Sequence, residues 1–119
     1  NVRQNNPRVE LRFQMNTRQF VSCWRSHKDE LIATYFDAST DSQVGKAISD
    51  LGLNAGQTAS LRTVIDGVLT DAFYSLLLGL DGAASIGPVQ QPYEIRAEDG
   101  SVIRDIEPEA WAQFHDRSA

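Results

Sequence analysis

The chain has 119 residues, a formal net charge of −5, 41% hydrophobic residues and 23% charged residues. That length fits one domain with one core, and that composition is close to normal for a soluble globular protein, which argues against disorder except at the ends. The acidic balance, with only two lysines, argues against a nucleic-acid binder, because phosphate contacts supply most of that affinity.

Compartment and partners follow from the same inventory. The single cysteine, Cys23, permits no intrachain disulfide and suits a reducing cytoplasm. No N-terminal run has the form of a secretory leader. The longest apolar run, Leu76 to Leu78 with Leu80 after Gly79, is too short to span a membrane. The expected location is therefore cytoplasmic, away from membranes. Charge is uneven: residues 1–30 hold six basic groups against three acids, so the first quarter is basic and the rest strongly acidic. An acidic surface serves solubility and attracts a basic protein partner. The whole chain, 1–119, reads as one domain with mobile polar ends at 1–7 and 116–119.

In chain order, Arg8 to Met15 alternates polar and apolar, with Val9, Leu11, Phe13 and Met15 on one face, which predicts a half-buried strand. Asn16 or Thr17 then caps a helix whose inward stripe is Phe20, Val21, Trp24, Leu31, Ile32 and Tyr35 or Phe36. Ser39 to Ser42 is a loop ending in an N-cap. A short helix follows with Val44, Ala47, Ile48 and Leu51 inward and Gly52 at the position after its C-cap. Asn54 to Ser60 is a connection. The long helix beyond it starts near Thr58 or Ser60, with a stripe of Leu61, Val64, Ile65, Val68, Leu69, Ala72, Phe73, Leu76, Leu77 and Leu80.

Three glycines and a proline between Gly79 and Pro88 break that helix. Tyr93, Ile95 and Ala97 alternate with Glu94, Arg96 and Glu98, and Asp99-Gly100 predicts a type I′ hairpin turn returning through Val102 and Ile103. Glu107-Pro108-Glu109 opens a last helix with Trp111 and Phe114 inward. The order β-α-α-α-β-β-α predicts an α+β domain, with the N-terminal strand joining the hairpin in a small antiparallel sheet.

Candidate chemistry is sparse. Cys23 and His27 are spaced i, i+4, with Glu30 three residues on to orient an imidazole, but a lone thiol is more often a small buried hydrophobe, here beside Trp24. His27, His115 and Asp116 do not assemble a metal-ligand pattern. The glycine corner lacks the Gly-Lys-Ser/Thr ending of a phosphate loop and follows a helix instead of preceding one. Asp66 and Asp71 lie about 140° apart around the helix, Arg62 is placed to pair with Asp66, and Asp81 before Gly82 reads as a turn-former. No nucleophile, base and oxyanion set is complete, so the expectation is a protein that is not an enzyme, with no catalytic residues, no metal and no cofactor.

The stretch Leu76-Leu77-Leu78-Gly79-Leu80-Asp81-Gly82, followed by Gln90-Gln91-x-Tyr93 and a hairpin with Asp99-Gly100, resembles small bacterial proteins, some of which are similar to immunity proteins encoded beside polymorphic toxins. The resemblance implies a protein that occludes a toxin partner and carries over no catalytic residue. The docking face expected for a basic toxin domain is the acidic hairpin and last helix: Glu94, Glu98, Asp99, Asp105, Glu107 and Glu109. The alternative is a ligand pocket or small enzyme site at the Gly79 to Gly87 corner, with Asp71, Asp81, Gln90, Gln91 and Tyr93 as polar contacts. A third arrangement, a homo-oligomer packed through the long helix, is disfavoured by polar groups on that helix's far side (Arg62, Thr63, Asp66, Thr70).

Overall fold

The computed structural model of the chain describes residues 15–116. In chain order the described elements are α1 (Thr17–Tyr35), α2 (Gln43–Asp50), α3 (Ala55–Leu80), β1 (Ile95–Arg96), β2 (Val102–Ile103) and α4 (Ile106–Phe114). The strands form a two-stranded antiparallel sheet with Ile95 opposite Ile103 and Arg96 opposite Val102. The expected α+β class holds. The expected first strand lies outside the described residues except for Met15, which packs against the core from the start of α1.

Side-chain oxygens fix three helix starts. Asn16 accepts from the Gln19 N–H at 2.8 Å, and the Gln19 side chain returns the bond to the Asn16 N–H, a full capping box. Ser42 caps α2 through the Gly45 N–H. Asn54 and Gln57 form a second capping box, so α3 begins at Ala55, several residues earlier than the apolar stripe suggests. Gly52, at φ 65°, closes α2 as expected.

The core lies where α1, α3 and α4 meet the hairpin: Val21, Leu77, Ile103, Ile106, Ala110 and Phe114, with Phe20, Trp24, Phe73 and Tyr74 packed around it. Thr17 ties the start of α1 to the end of β2, donating its hydroxyl to the Arg104 carbonyl at 2.5 Å. Gln113 ties α4 to α1, donating to the Arg18 carbonyl at 3.2 Å while its own carbonyl oxygen accepts from the Ser22 hydroxyl.

Several expected faces are turned. On α3 only Thr70, Leu77 and Gly79 are buried, while Val64 and Val68 are each 59% exposed and Leu76 is also exposed. Asp66 and Thr70, expected on the far side, instead bond Lys28 on the packed side, and the exposed side carries Val64, Val68 and Leu76, so the polar far side held against a homo-oligomer is not where it was expected. No residue of α2 is buried, and Val44 and Leu51 are exposed. Trp111 is 53% exposed, because Ile106, Ala110 and Phe114, spaced i, i+4, i+8, define the buried face of α4 and leave position 111 to its side. Asp116, expected in a mobile tail, is half-buried and donates its N–H to the Trp111 carbonyl.

The hairpin turn also differs. Gly100 donates its N–H to the Ala97 carbonyl and takes φ 94°, while Asp99 keeps a negative φ. Glu98-Asp99-Gly100 is therefore a three-residue loop with one left-handed glycine, not a type I′ pair. At the corner, Gly87 takes φ 59° and Pro88 follows, letting Ile86 and Val89 exchange backbone hydrogen bonds in a miniature hairpin.

Candidate functional site

The corner, the hairpin and the start of α4 converge on one shallow groove. It has a volume of 460 Å³ and is lined by Asp81, Pro92, Tyr93, Glu94, Val102, Ile103, Arg104 and Asp105. Asp81 is the C-cap residue of α3, and its Oδ2 accepts the Glu107 N–H at 3.1 Å. That bond serves α4, whose own N-cap residue Asp105 makes no side-chain capping bond and sits at φ 56°. Tyr93 is brought back to the end of α3 by its N–H, which donates to the Leu80 carbonyl at 3.2 Å. Three carboxylates and one guanidinium thus border an open groove floored by Val102 and Ile103.

The two expected residue sets are redistributed. From the acidic set, Glu94 and Asp105 line the groove and Glu107 stands exposed beyond it. Glu94 also pairs with Arg96 at 3.2 Å. Glu98 and Asp99 occupy the exposed hairpin tip, where Asp99 accepts from the hydroxyl and the N–H of Ser101. Those bonds, the hydroxyl's first, hold its carboxyl below the ordinary 3.8. Glu109 is turned toward α1, 3.9 Å from Arg18 and within reach of Gln113. From the corner set, Asp81 and Tyr93 join the same groove. Gln90 instead donates to the Gly82 carbonyl, Gln91 is exposed, and Asp71 is ten residues back along α3, about 15 Å away along the axis.

The corner itself is filled. A Cβ on Gly79 would stand 2.3 Å from Ile86 Cγ1, and one on Gly82 would stand 3.0 Å from Pro92. These glycines let the corner fold back onto the helix end, leaving that space to Ile86 and Pro92.

Cys23, His27 and Glu30 do share a groove on α1, of 460 Å³, with Met15, Gln19, Ser22 and Ser26. The thiol is exposed, not buried beside Trp24 as its residue type suggests. His27 Nδ1 is 3.6 Å from Glu30, and its ring lies parallel to Phe73 at 6.2 Å. All three groups sit mid-helix, where backbone N–H groups are already bonded within the helix and none is left to receive an oxyanion. Among the described residues no group of three or more His, Cys, Asp or Glu is placed to hold a metal ion.

One polar centre escaped the sequence reading. Lys28, 7% exposed, donates from Nζ to Asp66 Oδ1 at 2.7 Å and to Thr70 Oγ1 at 3.0 Å, with the Phe114 ring 5.9 Å away. It borders a 290 Å³ cleft with Arg25, Asp29, Asp66, Gln113 and Asp116. The signal was present: Lys28 occupies the gap between Trp24 and Leu31 in the inward stripe of α1. Arg62, expected to pair with Asp66, lies over the Phe36 ring at 5.3 Å instead.

Comparison with protein-family models, with curated proteins and with solved structures found no match.

Proposed function

We propose that this chain is a non-enzymatic binding protein whose acidic side, from the hairpin to the first turn of α4, receives a basic protein partner in the manner of an immunity or antitoxin protein. What supports this reading is the groove in which Asp81, Glu94 and Asp105 outnumber Arg104 beside the exposed ring of Tyr93. Carboxylates on the rim raise the encounter rate with a cationic surface, and an aromatic ring among them offers contact area at small entropic cost. The filled corner and the separation of Asp71 from Asp81 count against a small-ligand site there.

A cytoplasmic, water-exposed domain goes with this reading. By length and composition α3 is able to cross a membrane, with mean hydropathy 1.4, so the short-run argument from the sequence does not hold for it. It packs against α1 and α4 along one side and holds the Lys28–Asp66 pair there, while most of its apolar window is not buried.

The test is co-expression of the tagged chain with its neighbouring gene products, followed by association kinetics on any stoichiometric complex. Reversal of Glu94, Glu98, Asp105 and Glu107 to lysine is expected to slow association by at least about tenfold at low salt and much less at high salt. An unchanged on-rate at low salt rules this face out.

A further inference from the structure

Trp111 is open to solvent over 53% of its surface, yet it is held by two other rings. His115, one turn on, is 5.0 Å away, and Tyr74 of α3 is 6.3 Å away and steeply inclined to it. Tyr74 and His115 themselves meet edge to face at 4.4 Å and 87°. Two helices therefore fix the indole while leaving much of it uncovered. A fixed aromatic side chain loses little entropy when a partner covers it, and tryptophan is the residue type most enriched at interface anchors.

The surroundings of the indole select what covers it. Glu107 lies four residues earlier, on the same side of α4, and is exposed. Asp71, also exposed, lies one turn before Tyr74 on α3. Neither carboxylate forms an ion pair among the described residues. A purely apolar partner group would desolvate these carboxylates without compensation. A guanidinium stacks on an indole and donates to a carboxylate in the same plane, whereas an ammonium is more strongly hydrated and lacks the flat fork.

Resting on the reading of the acidic side as a docking face, we infer that Trp111 is its anchor and that the partner seats an arginine guanidinium on the indole, with Glu107 accepting from it. Asp105 in the groove and Trp111 are six residues apart, about 9 Å along the axis of α4 and about 120° around it, so a short peptide with two arginines probes the groove and the indole without a fixed register.

The experiment is an NMR titration of the 15N-labelled chain at low salt with acetyl-Arg-Ala-Ala-Arg-amide, its lysine counterpart and its citrulline counterpart, which keeps the shape and removes the charge. Trp111→Phe assigns the indole resonance. Trp24, half-buried against Phe20 and Phe73, is the internal reference. The Trp111 indole and the amides of Glu94, Val102 and Asp105 are expected to shift together with the arginine peptide, less with lysine and not with citrulline. Trp111→Ala, with an unchanged circular dichroism spectrum, is expected to weaken binding about tenfold. Movement of the groove amides with a stationary indole, or equal affinity in Trp111→Ala, overturns the anchor and leaves the docking reading standing. Equal binding of the citrulline peptide overturns the choice of a cation. No movement of any resonance at millimolar peptide overturns both.

Discussion

Removing Asp66 is expected to cost more stability than removing Lys28, although the two share one ion pair. At 2.7 Å, and with an effective dielectric constant of about 20, the attraction is about 6 kcal/mol. The Asp66 side chain is 41% exposed, so water screens much of that. The Lys28 side chain is 8% exposed, and its loss of hydration offsets most of the remainder. In Asp66→Ala the ammonium keeps the Thr70 hydroxyl and the Phe114 ring, and the adjoining cleft lets some water reach it. The cost should therefore be about 2 kcal/mol, below the 3–5 kcal/mol typical of breaking a fully buried pair. In Lys28→Met the apolar stem still packs beside Phe114 and the Asp66 carboxylate returns to water, so the loss should stay under about 1 kcal/mol. Urea denaturation followed by circular dichroism measures both, provided the m-values agree. For a domain of this size the Asp66 variant should melt roughly 8–10 °C lower. If Lys28→Met loses as much as Asp66→Ala, the lysine is stabilising as an ion and the desolvation argument is wrong.

Three further outcomes are expected. Asp81→Ala removes the acceptor for the Glu107 N–H and should cost about 1 kcal/mol in chemical denaturation, with Asp81→Asn recovering most of it. Gly79→Ala drives a methyl into Ile86 and should destabilise by about 1–3 kcal/mol, a loss partly reversed when Ile86→Ala is added; no reversal would place the strain elsewhere. The Asp99 carboxyl is depressed by Ser101, so its contribution to the hairpin is complete above the unfolded value of 3.8 and is lost as pH falls through the lower folded value. The Ser101 amide resonance should titrate with a midpoint below 3.8, and Ser101→Ala should raise the midpoint of Asp99 itself.

Some local signals were legible in the chain: Ser42 and Gly52 act within a few residues of themselves and could be placed, Asn16 was one of two caps offered for α1, and Gly100 could be placed in the hairpin turn. The Asn54–Gln57 capping box is equally local but reads as part of a connection, because the apolar stripe begins only at Leu61. The hairpin was legible too, although the loop needed one left-handed residue where two were expected. What α3 packs against is decided by partners far along the chain: Lys28, 38 residues before Asp66, and the α4 residues that follow the hairpin. A helix with Val64, Val68, Leu69, Leu76 and Leu77 offers several apolar sides, and its own sequence does not rank them. The groove was half legible. Its acids were named, but in two separate sets, because bonds between residues well separated in the chain, Tyr93–Leu80 and Glu107–Asp81 among them, bring the corner beside α4.

The uneven burial of α3 carries over to the order in which the molecule opens. Its buried residues all lie from Thr70 onward, and α2, just before it in the chain, buries none. The first four turns of α3 and the whole of α2 therefore have few apolar contacts to lose in a partial opening, while Leu77, Ile106 and Phe114 separate only when the whole core does. Amide hydrogen exchange should run from fast at residues 43–60 to globally protected near residue 77, and a protease should first cut the connection between α2 and α3. The end at α2 is therefore expected to open first and the end at α4 last, and the last to open is the one that bears the acidic groove.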